Sequence, residues 1–96
     1  MAHYAVVCHD KPGALPLRTE LRPKHREYLA SLGEQVLLAG PLLDDQGLMC
    51  GSLFVIEAAD EAGAEAFSQG DPFRQQGVFG QIEIKGFSRT MGTWGG

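Results

Sequence analysis

The sequence predicts an α+β domain of ferredoxin-like type, a four-stranded antiparallel sheet with two helices on one face. Three observations predict it. The elements read in the order βαββαβ, which is the split βαβ arrangement. The first and third strands are apolar on both faces, as the two central strands of such a sheet are expected to be. The last strand alternates Ile82 and Ile84 with Gln81, Glu83 and Lys85, so one of its faces is polar and it suits an edge.

The first strand is expected over residues 2–9, on the β-favouring Tyr4, Val6 and Val7, and Asp10-Lys11-Pro12-Gly13 breaks it. A helix is expected from Arg22 or Pro23. Proline is well placed at a first helical position, and the residue before it is pushed out of the helical region. Leu21, His25, Tyr28, Leu29 and Leu32 then form one helical stripe, and Gly33 is a natural stop. Strands over residues 35–42 and 51–57 form a hairpin about the turn Asp44-Asp45-Gln46-Gly47. Asp60 caps a second helix with Ala62, Ala66 and Phe67 on its narrow apolar face; Gly70 and Pro72 end it. The last strand covers residues 78–87. The folded domain is therefore expected over residues 1–87, with a tail over 88–96 that has no clear pattern.

Ninety-six residues make one domain, and the formal net charge of −4 offers no basic face for nucleic acid. No apolar run approaches the ~20 residues that span a membrane, and the N-terminus lacks a signal-peptide pattern, so neither a nucleic-acid nor a membrane partner is expected and the location is expected to be cytoplasmic. Cys8 and Cys50 lie too far apart in sequence for a zinc motif and read as two reduced, buried thiols. No glycine-rich phosphate loop is present, and Gly51-Ser52-Leu53 opens a strand rather than a nucleophile elbow. No cofactor and no metal are expected. A metal site on His9, His25 and an aspartate is geometrically conceivable, but it lacks recognisable ligand spacing.

The topology brings His9, His25, the Asp44–Asp45 turn, Ser52 and Asp71 to one end of the sheet. His25 by itself reads first as a core histidine hydrogen-bonded to a neighbour, and Asp71 as a structural turn, because Gly-Asp-Pro is a common way to leave a helix. Near a helix N-terminus the dipole disfavours imidazolium, whereas a carboxylate would favour it and fix one ring tautomer. Asp71 could be that carboxylate, and such a pair can pass protons near neutral pH. Arg18, Arg22, Lys24 and Arg26 cluster around the start of the first helix. They read either as a solvated basic face or as an attractor for an anionic substrate such as a carboxylate or phenolate, with Arg22 the best candidate for a ligand contact.

Arg22-Pro23-x-His25-x-x-Tyr28-Leu29, Leu38-Ala39-Gly40-Pro41-Leu42, Gly51-Ser52-Leu53 and Asp71-Pro72-Phe73 with Gly77 form an ordered set, joined by the Lys11-Pro12-Gly13 loop. Over residues 1–87 this set resembles the YciI-like (YCII-related) family. The resemblance implies a ferredoxin-like fold, a dimeric α+β barrel, and an active site of a histidine and an aspartate, which map onto His25 and Asp71, with Ser52 beside them. It also implies proton-transfer chemistry on small cyclic or phenolic molecules.

Three functions are consistent with these observations. The first is a small cofactor-free enzyme of lyase or isomerase type, with His25 moving a proton, Asp71 orienting it, and Ser52 and Arg22 contacting the substrate. The second is a non-catalytic dimeric module that binds a ligand or a protein, with His25 and Asp71 a structural pair. The third is cofactor-free oxygenation of a phenol. A sheet face left apolar by strands one and three implies a homodimer packed sheet to sheet.

Overall fold

The computed structural model describes residues 1–94. Its elements are β1 (Ala2–Asp10), α1 (Leu15–Leu32), a 3-10 turn (Gly33–Gln35), β2 (Val36–Leu43), β3 (Met49–Ala58), α2 (Glu61–Gly70), a short α3 (Pro72–Gln75) and β4 (Phe79–Phe87). The four strands form one antiparallel sheet in the order β2-β3-β1-β4, so strands one and three are central and the half-polar β4 is an edge, as the ferredoxin-like reading requires.

Strand alternation divides the sheet into two faces. Val6 pairs with Phe54 and Ile84, and Cys8 with Ser52 and Ile82, on the face that the helices cover. Val6, Phe54, Ile56, Phe67, Phe73 and Val78 form the centre of the core there. The opposite face carries Ala5 against Val55 and Val7 against Leu53, with Leu38 beside Val55. A β-bulge between Val36 and Leu38 lets the first of these face the helices and the second the open side. The tail, read as patternless, returns to this open side. Trp94 meets His3 edge-on at 5.3 Å and lies 6.0 Å from Phe87. Gly95 and Gly96, the end of that tail, lie outside the described residues.

α1 corrects the expected helix start. It begins at Leu15, about two turns before Pro23. Pro16 takes the permissive first turn, and Pro23 sits inside the helix on its exposed side. An internal proline costs about 3 kcal/mol of helix stability. Packing outweighs it here, because Leu17, Leu21, Tyr28, Leu29 and Leu32 all lie against the core. His25 is consequently a mid-helix residue, and the dipole argument built on a nearby N-terminus does not apply to it. The Asp60 cap is as expected, its side chain accepting from Gly63 N–H at 2.9 Å. Cys8 is buried, whereas Cys50 is only half-buried.

Candidate active site

Asp71 reaches the site because the chain leaves α2 and at once starts α3. Its Oδ1 accepts the Phe73 N–H at 2.8 Å, which makes it the cap of that short helix. Its Oδ2 points at α1, and His25 Nε2 lies 3.4 Å away. Asp71 is 1% exposed and His25 8%. Neither Oδ2 nor Nε2 has a hydrogen-bond partner. The separation is longer than the 2.7–3.2 Å of an N–H···O bond, a looseness common in catalytic pairs without substrate. Each atom is the polar group that the other faces, so the pair is poised rather than closed. The imidazole is held flat on Phe73, with centroids 3.9 Å apart and planes 14° from parallel. Since Nε2 is wholly buried against Asp71, Nδ1 is the nitrogen left for the cavity that His25 lines.

That cavity has a volume of about 250 Å³ and lies between α1 and the β2–β3 hairpin. Arg18, Arg22, His25, Arg26 and Leu29 form its α1 wall. Ala39, Gly40 and Pro41 of β2 face them, and Met49, Ser52, Phe54 and Phe73 complete the lining. The space is enough for a substituted six-membered ring, since an engineered cavity of about 150 Å³ holds benzene.

Arg18 is the residue whose role sequence reasoning missed. It is 3% exposed, not part of a solvated basic face. Its Nε and Nη2 donate to the Asp10 carboxylate at 2.7 and 2.9 Å, and Nη2 also donates to Ser52 Oγ at 2.8 Å. Its guanidinium lies 4.6 Å from the Phe73 ring centre. The available signal was spacing: Ala14, Arg18, Leu21, His25 and Leu32 fall on one face of a continuous helix. Ser52, 2% exposed, therefore already accepts a charge-assisted bond, and its own O–H remains free to donate. Arg22 and Arg26 are exposed residues at the cavity edge; Lys24 is exposed and does not line it.

Cys8 sits on the same face of the sheet, opposite Ser52. Burial, reinforced by the Asp71 charge, pushes its thiol up to about 12, so it is a thiol and no nucleophile at neutral pH. Burial and the same Asp71 charge also raise Tyr28, whose hydroxyl donates to the Phe67 carbonyl at 2.8 Å. His9 is exposed and lies on the open face, away from the His25 side, so it does not join the dyad.

Residues 2–88 match the sequence profile of the YCII-related domain. The chain belongs to the YCII-related family. Protein YciI of Escherichia coli O6:H1 is 29% identical over 96 residues, covering 92% of this chain and 98% of that one. Protein YciI of Shigella flexneri matches to the same extent. Among solved structures, 5-chloro-2-hydroxyhydroquinone dehydrochlorinase (TftG) of Burkholderia phenoliruptrix, in complex with 2,5-dihydroxybenzoquinone, superposes with a TM-score of 0.82 at 26% identity, over 90% of this chain and 93% of that one. An uncharacterized NIPSNAP domain protein of Burkholderia xenovorans shares the fold alone, with a TM-score of 0.51 at 15% identity over 94% and 95% of the two chains. Among the described residues no helix is long and apolar enough to cross a membrane.

Proposed function

We propose that this YCII-related protein is a small enzyme that moves a proton on a small cyclic or phenolic molecule, in a step of lyase or isomerase type. One observation carries the reading. Two buried polar atoms, His25 Nε2 and Asp71 Oδ2, face each other unbonded, and the same imidazole lines a cavity of ring size. A buried polar group without a partner costs about 1–3 kcal/mol, and such a cost at a cavity wall points to function more than to stability.

In this mechanism Nε2–H is directed to Asp71, which leaves the Nδ1 lone pair to accept a proton from the ring. The electron pair released by the ring shifts a double bond or expels a leaving group from the adjacent carbon. Asp71 balances the imidazolium while it carries the proton, which then returns to another ring atom or to water. Ser52 O–H donates to a ring oxygen whose charge grows in the step. TftG, by its name a dehydrochlorinase of a chlorinated hydroxyhydroquinone, supports this class of chemistry for a chain of the same architecture.

The working unit in this proposal is a cytoplasmic homodimer. Half-buried Val7, Leu38 and Leu53 present an apolar face that a second sheet would cover.

The test is a panel of hydroxyquinols, hydroxyquinones and unsaturated lactones in D2O, followed by proton NMR and chloride release. Wild type is expected to exchange or eliminate at a ring position of at least one member, and His25→Asn to slow that reaction by about 10²–10⁴-fold. Equal rates for wild type and His25→Asn, or no reaction with any member that binds, would overturn the reading and leave a binding module with a structural pair.

A further inference from the structure

We propose that the cavity selects its ring in a deprotonated, anionic form, with Arg22 and Arg26 as the counter-charges at its mouth and Ser52 as a donor to a ring oxygen deeper in. This rests on the reading of the cavity as a ring-binding site and adds the charge state of the ring.

Among the described residues three guanidiniums line the cavity, and no carboxylate does. The charge of Arg18 is balanced by Asp10, to which two of its N–H groups are bonded, and a third N–H is bonded to Ser52. Asp71 is spoken for by its proximity to His25 and lies behind that ring. Among the described residues neither Arg22 nor Arg26 enters an ion pair. Glu27 lies near them along a shallower outer groove and does not line the cavity. The two arginines are one helical turn apart, so both project along one edge of the cavity. A protein with a net charge of −4 thus concentrates two uncompensated positive charges at the entrance of one pocket.

The rest of the lining fixes what carries the negative charge. Leu29, Pro41, Met49, Phe54 and Phe73 offer apolar, partly aromatic surface suited to a flat ring. Guanidinium matches planar, delocalised oxyanions. The Ser52 hydroxyl, with an acceptor position filled by Arg18, is left to donate, which again favours an electron-rich oxygen. An acidic ring oxygen conjugated with a carbonyl, as in a hydroxyquinone, meets all three requirements. In 2,5-dihydroxybenzoquinone each hydroxyl is a vinylogous carboxylic acid and is ionised at neutral pH.

The experiment is calorimetric binding of 2,5-dihydroxybenzoquinone and of hydroquinone, a neutral ring of the same size, to the full chain at low and high salt. The anion is expected to bind at least about ten-fold more tightly than the neutral ring, and the difference is expected to shrink as salt rises. Arg22→Met and Arg26→Met should each weaken anion binding by about three- to ten-fold and leave hydroquinone unchanged, whereas Lys24→Met, which removes the same charge outside the cavity, should alter neither. All three side chains are exposed, and circular dichroism verifies that the variants fold. Equal binding of the two rings, or anion binding indifferent to both arginines, would overturn the anionic assignment while the ring-binding site stands. Binding of neither ring would overturn the ring-binding site itself, and this inference with it.

Discussion

Arg18→Met is the substitution whose consequence the structure specifies most closely. The methionine keeps much of the apolar stem but removes the guanidinium, and with it both bonds to Asp10 and the bond to Ser52. The Asp10 side chain, only 6% exposed, is left as an unpaired carboxylate under the sheet edge. Breaking a buried pair from one side costs about 3–5 kcal/mol, mostly the penalty of the stranded charge. A chain of 96 residues has a total stability of roughly 5–14 kcal/mol at about 0.05–0.15 kcal/mol per residue, so the loss is a large share of the whole. Urea unfolding followed by circular dichroism, at one fixed protein concentration, measures it. With a slope of about 1–2 kcal/mol per molar urea, the midpoint should fall by about 1.5–5 M. The double variant Arg18→Met with Asp10→Asn removes the stranded charge and should recover at least about 1 kcal/mol of the loss. A single variant within about 1 kcal/mol of wild type would refute the reasoning. So would a double variant less stable than the single one.

Alkaline pH should weaken the fold in a defined window. The Cys8 thiol, held up to about 12 against an ordinary 9.0, keeps its proton in the folded chain where the unfolded chain has lost it. The unfolded state then binds fewer protons, so stability is fully present below about pH 9 and declines as pH rises towards 12; Tyr28, also raised, acts in the same direction. Urea midpoints across that range should fall for wild type and fall less for Cys8→Ala. Thiol reagents near neutral pH should label half-buried Cys50 first and buried Cys8 only on unfolding. Gly51→Ala should destabilise by about 1–3 kcal/mol, because a Cβ there runs into the Cys8 carbonyl oxygen of the paired strand. The accompanying strand shift moves Ser52, so ring binding should weaken in step with stability. A neutral Gly51→Ala would contradict the close pairing of β1 and β3.

Most of the sheet was legible in the sequence. Alternation in β4, doubly apolar β1 and β3 and the Asp44–Gly47 turn are local signals, and local signals fixed the strand order through the βαββαβ pattern. Topology also drew His25 and Asp71 together, though from a helix start that the structure moves to Leu15, and their facing atoms lie 3.4 Å apart. What was not legible depended on packing between distant elements. Pro23 looked like a helix start because propensity alone disfavours it inside one; the contacts of Leu17 and Leu21 with the core decide otherwise. Arg18 looked like a surface charge because its partner Asp10 sits across a loop, in a strand whose end no periodicity ties to the helix. α3 was read as a helix exit, since Asp71-Pro72 serves equally to leave one helix and to cap the next. Nothing in the sequence announced that Ser52 would accept a bond from a buried arginine and keep its O–H free to donate.

The most direct test of the account is a rate cycle on His25 and Asp71 with the best ring substrate from the panel. Wild type, His25→Asn, Asp71→Asn and the double variant are compared in single-turnover proton exchange, with folding confirmed for each. If the two residues act as one proton-transfer unit, the double variant is no slower than His25→Asn alone, because the aspartate has nothing left to orient. Losses that multiply in the double variant, or an Asp71→Asn enzyme as fast as wild type, would contradict the dyad.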